Sequence, residues 1–198
     1  MRKLSFLFTS LIVLTACVDT TGLTSTIHTD VHPKTSRSAL VTVTEYADLQ
    51  CPACQRAHQV LTKPLIEKYG TKIAYDFRHF PLSSIHRYAM EAAEAAECAG
   101  DQGKFWEFVD TGYEHQKDLS SDALRAWGKD LGLNTELFGR CIDSHIKRKA
   151  IQASYDEGVA KGVQGTPTYF VNGQQTTATL EELSAAIDAA LKEASVLR

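Results

Sequence analysis

The sequence predicts an α/β fold with a compact helical subdomain inserted into it. An alternating apolar segment at residues 40–46 is followed by a helical pattern and by a second alternating segment at 72–80. A strand, a helix and a strand in this order form a right-handed unit with parallel strands. No strand pattern occurs from about 82 to 161, and a strand returns at 168–171. We therefore expect a small sheet interrupted by a helical insertion.

The first 16 residues have the profile of a secretory signal peptide. Residues 1–3 are basic, and residues 4–16 are an apolar and small-residue run that is too short for a permanent membrane span. The sequence LTAC at residues 14–17 resembles the lipobox of bacterial lipoproteins, which predicts cleavage before Cys17 and acylation of that residue. The alternative is a plain signal peptide cut elsewhere, with Cys17 unmodified or removed.

Residues 17–38 are rich in Thr, Ser, His and Asp, and this composition predicts a lipidated, flexible tether ahead of a domain that spans residues 39–198. We expect the protein in the cell envelope, lipid-anchored to a bacterial membrane and facing the periplasm or the exterior. The net charge is −3, and no basic run is interleaved with aromatic residues, so no nucleic-acid partner is expected.

A pair of cysteines opens the first predicted helix. Cys51 and Cys54 flank Pro52 and Ala53, directly before the helical pattern of residues 55–69. Unpaired N–H groups and the macrodipole at a helix N-terminus stabilise a thiolate, which predicts a low pKa and an exposed position for Cys51. Pro52 suits the first helical position. Cys54, one turn further in, is the less exposed, resolving thiol.

The alternatives for this pair are a structural disulfide and half of a zinc site. A zinc site would normally add a second Cys/His pair at matching spacing, and the sequence has none. We therefore predict a redox dithiol that uses no metal and no cofactor.

The elements on either side of the insertion follow from local patterns. The helix at 55–69 is expected to bury Val60, Leu61, Leu65 and Ile66 and to kink at Pro64. Five helices are predicted in the insertion, at residues 88–99, 105–115, 121–131, 135–146 and 147–160. After the strand at 168–171, Asn172-Gly173 predicts a hairpin, and a capping box at 179–182 opens a last helix that runs to about residue 195.

Two cysteines of the insertion, Cys98 and Cys141, remain without an assigned role. An exported protein in an oxidising compartment is expected to pair such residues, so we predict a Cys98–Cys141 disulfide that braces the helical subdomain. The alternative is two buried free thiols.

The order of elements, the Cys51 to Cys54 motif and a Gly165-Thr166-Pro167-Thr168 segment before a strand resemble the thioredoxin fold. The helical insertion makes the chain most similar to the DsbA-like family of exported disulfide oxidoreductases, over about residues 39–195. The resemblance implies a cis peptide bond before Pro167, which would bring the Thr166 backbone beside Cys51 to pair with an extended substrate. The alternative is a trans proline before an edge strand.

The same resemblance places Glu45 at the family's buried carboxylate below the dithiol. There it would accept the Cys54 proton, directly or through water. The alternation agrees, because Glu45 shares a face with Val41 and Val43, whereas the alternative is a solvated strand residue.

The family often has His at the position of Ala53, so this chain lacks one thiolate-stabilising contact. His58 could compensate, but a solvated place on the helix surface is the expected one.

The resemblance implies a thiol:disulfide oxidoreductase that oxidises dithiols of secreted proteins. Its partners would be reduced or unfolded exported proteins and a membrane redox partner that recycles the dithiol. Too few residues lie between the lipobox and residue 40 for the dimerisation domain that an isomerase commonly has, so a monomer is expected. One alternative is a disulfide reductase or isomerase of the cell envelope. Another is a non-catalytic surface lipoprotein on the same scaffold.

Overall fold

A four-stranded mixed sheet lies at the centre of the computed structural model, which describes residues 18–27 and 32–196. Its strands are β1 (Val41–Ala47), β2 (Ile73–His79), β3 (Thr168–Val171) and β4 (Gln174–Thr176), in the spatial order β2-β1-β3-β4. β1 pairs in parallel with β2 and antiparallel with β3. The predicted parallel unit and the thioredoxin fold are confirmed, and β1 is a central strand with neighbours on both sides.

The helix that follows the dithiol contains a widened turn. It consists of α1 (Pro52–Ala57), a π-helical turn (His58–Thr62) and α2 (Lys63–Tyr69). The sequence predicted a kink at Pro64; because a proline has no N–H for the preceding turn, the helix accommodates it by the π-helical turn just before it. Val60 is 54% exposed, so its predicted place in the core is wrong, whereas Thr62 is buried.

Five further helices form the insertion, close to the predicted positions. They are α3 (Ala89–Gly100), α4 (Phe105–Glu114), α5 (Ser121–Asp130), α6 (Thr135–Ser144) and α7 (Arg148–Ala160). Polar side chains cap two of them. Ser120 accepts a hydrogen bond from the Ala123 N–H at the start of α5, and Asn134 accepts one from the Leu137 N–H at the start of α6. A disulfide joins Cys98 on α3 to Cys141 on α6, and both residues are buried.

The C-terminal hairpin and helix close the sheet. Asn172 and Gly173 adopt positive φ angles of 47° and 81°, as a tight hairpin turn requires. The Asn172 side chain also accepts a hydrogen bond from the Thr42 N–H, which ties the turn to β1. The last helix, α8 (Leu180–Val196), packs on β1 and β3 and buries Leu183 and Ile187.

The segment expected to be a flexible tether lies against the domain where it is described. The His32 and Ser36 N–H groups donate to carbonyls of β2, so this segment runs along an otherwise free sheet edge. Farther out, Arg140 binds Asp19 at 2.9 Å, and the Lys147 Nζ lies 2.6 Å from the Thr26 carbonyl. These contacts use the backbone and the ends of long cationic side chains.

The predicted signal peptide at residues 1–16 and Cys17 lie outside the described residues. Within residues 18–27 and 32–196, none of the helices combines the length and the hydrophobicity needed to cross a bilayer.

Candidate active site

The two cysteines of the motif sit at the head of α1 with different exposures. Cys51 is the N-cap residue, with extended φ and ψ of −75° and 120°, and Pro52 begins the helix. Cys51 is 6% exposed and Cys54 is fully buried. Cys51 is more covered than the sequence predicted, because the chain before β3 closes over it and the Thr166 carbonyl lies 3.4 Å from its Sγ.

The Thr166–Pro167 peptide bond is cis. The Thr166 carbonyl faces Cys51, and a cleft of about 470 Å³ beside it is lined by Gly162, residues 164–168 and Gln175. The structure therefore brings Cys51 and Cys54 together with Thr166 and Pro167, and the last two residues line the cleft.

Hydrogen bonds divide the two thiols into a nucleophile and a resolving group. Interaction with the Cys54 side chain, helped by the Thr166 side chain and the first N–H groups of α1, outweighs burial and lowers the pKa of Cys51 from 9.0 to about 5. Burial raises the pKa of Cys54, and the neighbouring Cys51 thiolate adds to the effect. At neutral pH Cys51 is therefore a thiolate and Cys54 a thiol.

Asp48 fixes the loop that carries Cys51. Its buried carboxylate accepts hydrogen bonds from the N–H groups of Gln50 (2.7 Å) and Leu82 (2.9 Å), and the His86 Nδ1 lies 2.7 Å from it. The loop before the dithiol is thus tied to the segment between β2 and α3. This role could not be predicted, since a single Asp in a loop has no distinguishing sequence pattern.

Gln116 ties the same loop to the helical subdomain. Its Nε2 donates to the carbonyls of Leu49 (2.8 Å) and Cys51 (3.0 Å). Sequence reasoning missed this residue, because an isolated Gln after a helix is more often solvated. The helical insertion therefore holds the active-site loop directly.

Glu45 lies on β1 and is 1% exposed, in the apolar row that the alternation indicated. Its Oε2 accepts hydrogen bonds from Tyr75 (2.6 Å) and Thr62 (3.2 Å), and its Oε1 accepts one from Tyr169 (3.0 Å). Burial raises the pKa of Glu45, while the hydroxyl groups act in the opposite direction. The sequence indicated the buried carboxylate but not its three partners.

His58 is 3% exposed, so the solvated position expected for it is wrong. The π-helical turn begins at His58 and carries it inward, where its Nε2 lies 2.6 Å from the Asp110 carboxylate and its ring lies 4.8 Å from that of Tyr113. Asp110 belongs to α4, so this pair is a second link between the dithiol helix and the helical subdomain.

Within residues 18–27 and 32–196, no group of three His, Cys, Asp or Glu side chains is arranged to hold a metal ion. The side chains of the site supply an ionised sulfur on Cys51, a buried thiol on Cys54 and a buried carboxylate on Glu45.

Comparison with known proteins agrees with the fold. A family model described as thioredoxin matches residues 35–189. The structure is similar to that of oxidised BdbD from Bacillus subtilis, with a TM-score of 0.72 and 22% identity over 79% of this chain and 90% of the other. It is also similar to a thioredoxin-like oxidoreductase from Silicibacter pomeroyi DSS-3, with a TM-score of 0.69 and 25% identity over 78% and 88%. For alpha-DsbA1 of Wolbachia pipientis the TM-score is 0.70, at 24% identity over 80% and 89%.

The curated relatives are much longer proteins. The chain is 39% identical over 161 residues to the Na(+)/H(+) antiporter NhaA 1 of Salinispora arenicola, which is 80% of this chain and 24% of that protein. It is 38% identical over 165 residues to the Na(+)/H(+) antiporter NhaA 3 of Salinispora tropica, 82% of this chain and 25% of that protein. The chain thus spans about a quarter of the length of these relatives.

Proposed function

This chain belongs to the thioredoxin family, and from that premise we propose that it is an exported thiol:disulfide oxidoreductase that oxidises dithiols of secreted proteins to disulfides. The observation that carries the proposal is the stabilised Cys51 thiolate at the head of α1, beside the Thr166 carbonyl and the cleft. The solved structures of similar fold include proteins named as oxidoreductases and as thiol-disulfide exchange proteins. An intact pair of thiols with unequal pKa values supports the same chemistry here.

The reaction begins with the Cys51–Cys54 disulfide. A substrate thiolate attacks the Cys51 Sγ, the bond to Cys54 breaks, and Cys54 leaves with the electron pair. A second substrate thiolate then attacks the substrate sulfur of the mixed disulfide and releases Cys51 as a thiolate. The substrate has lost two electrons and gained a disulfide, and the protein holds two reduced cysteines.

Glu45 and Thr166 have supporting roles in this scheme. Glu45 exchanges a proton with Cys54, directly or through water, and the charge of Glu45 acts on Cys54 electrostatically. The Thr166 backbone pairs with an extended substrate in the cleft, as an added strand would. A membrane redox partner would reoxidise the pair.

The reduction potential of the Cys51/Cys54 couple tests the direction of the reaction. Because a stabilised thiolate favours the reduced protein, we expect a potential near the −120 mV that is typical of a strong oxidant, rather than about −270 mV as in thioredoxin. The couple is equilibrated with glutathione buffers and its oxidised fraction is read by thiol alkylation. In parallel, the wild-type protein should oxidise a reduced test protein. A potential near −270 mV would favour the reductase or isomerase instead.

We also propose that the protein is a monomer held at a bacterial membrane through an acylated Cys17. The anchoring rests on the sequence at residues 14–17. In fractionated cells the full chain is expected in the membrane fraction and a Cys17→Ser variant in the soluble fraction. Equal membrane retention of the two would contradict lipid anchoring at this residue.

A further inference from the structure

Three hydroxyl groups from three separate elements converge on the Glu45 carboxylate: Tyr75 from β2, Tyr169 from β3 and Thr62 from the π-helical turn. They also contact one another, since the Thr62 Oγ1 lies 3.0 Å from the Tyr75 hydroxyl and 3.4 Å from that of Tyr169. All four side chains are buried. We call these three residues the hydroxyl cage.

The cage suits an ionised carboxylate better than a protonated one. An ionised carboxylate only accepts hydrogen bonds, and each cage hydroxyl has one proton to donate. If Glu45 were protonated, its own O–H would need an acceptor, and a hydroxyl would have to turn away from it in a site closed to bulk water. Hydrogen bonds to the charged form favour that form and oppose the cost of burial.

The backbone adopts an uncommon conformation where it supplies Thr62. The π-helical turn at residues 58–62 leaves Val60 exposed and directs Thr62 into the interior. π-Helical turns are rare in proteins, and those that do occur are often found at functional sites. Pro64 explains why the helix is irregular at this point. The π-helical turn determines that Thr62 is the side chain that reaches Glu45.

We propose that Thr62, Tyr75 and Tyr169 are positioning residues that keep Glu45 ionised and oriented, so that it can take the proton of Cys54 when that thiol attacks a mixed disulfide. This inference rests on the role proposed for Glu45. Other titratable groups that act on Glu45 are Cys54 on α1, His58 on the π-helical turn and Tyr113 on α4. These three residues are unchanged in the variants below, so a difference in pH profile between variants reports the effect of the hydroxyl cage on Glu45.

The test isolates the step in which Cys54 must lose its proton. Reduced protein is mixed with glutathione disulfide: the Cys51 thiolate forms a mixed disulfide and releases one glutathione thiolate. Cys54 then attacks the Cys51 sulfur, the bond to glutathione breaks, and a second glutathione thiolate leaves. The rate of this second release is measured by acid quench and alkylation over a series of pH values, and Glu45→Gln is expected to remove the inflection that belongs to the carboxylate.

Removing one cage hydroxyl should raise that inflection by about one pH unit, because the charged carboxylate loses one hydrogen bond. We expect this for Tyr169→Phe and Thr62→Val, and we expect Thr62→Ser to restore the wild-type profile. Tyr46→Phe is the matched control. Tyr46 is a buried tyrosine on β1, the strand of Glu45, but its side chain packs in a separate cluster with Phe80 and Phe170.

The inference is overturned if Tyr169→Phe and Thr62→Val both give the profile of wild type and of Tyr46→Phe, or if Glu45→Gln keeps the inflection. Circular dichroism checks that each variant is folded. If either Tyr169→Phe or Thr62→Val does not fold, the pH profile of the other variant decides. A wild-type protein that never releases the second glutathione would refute the proposed function itself, and the inference would fall with it.

Discussion

Replacement of Cys51 by Ser is expected to reduce the oxidation of a reduced test protein to the uncatalysed background. Serine cannot form the disulfide that accepts the two electrons of the substrate, and Cys54 is fully buried and cannot replace Cys51 as the attacked sulfur. The structural disulfide between Cys98 and Cys141 lies in the helical subdomain and does not compensate. Oxidation is followed by alkylation of the test protein's free thiols.

Cys54→Ser is the matched variant, because it removes the other sulfur of the pair. It retains the Cys51 thiolate but has no resolving thiol, so with glutathione disulfide it should accumulate a mixed disulfide that wild type resolves. Cys51→Ser should form none. Unchanged oxidation by Cys51→Ser, or a mixed disulfide at Cys54 in that variant, would refute the assignment of Cys51 as the nucleophile.

The parts of the site that could be predicted are those set by local chemistry. A proline at the first helical position and two cysteines one turn apart place the dithiol at a helix start without knowledge of the rest of the fold. The strand alternation likewise put Glu45 in an apolar row, and the structure buries it there. In each case one short stretch of sequence contains the whole argument.

The parts that were missed depend on contacts between distant segments. Tyr75 and Tyr169 are ordinary strand residues until the sheet order places their strands on either side of β1. The burial of His58 and the exposure of Val60 follow from a widened turn that a regular helical period does not contain. Gln116 acts only because the helical subdomain folds back over the loop of Cys51.

The contribution of Cys51 to the free energy of unfolding of the reduced protein is expected to rise with pH between about 5 and 9. In the folded protein the pKa of Cys51 is lowered from 9.0 to about 5, so in this interval the unfolded chain binds a proton that the folded one does not. This contribution then increases by about 1.4 kcal/mol per pH unit. The whole contribution, about 5 kcal/mol, is present above pH 9 and is lost as the pH falls through 5.

Denaturant unfolding of the reduced protein, followed from pH 5 to 8, measures this contribution when the reduced Cys51→Ser variant is followed in parallel. The variant keeps the other titrating groups, and Cys54 stays protonated in this range because burial raises its pKa. The difference between the two proteins should therefore grow by about 1.4 kcal/mol per pH unit. The reduction potential should fall by only about 30 mV per pH unit over the same range, because two electrons then bring one proton instead of two. A constant stability difference, together with a slope of about 59 mV, would show that Cys51 is an ordinary thiol and would remove the basis for the proposed oxidase.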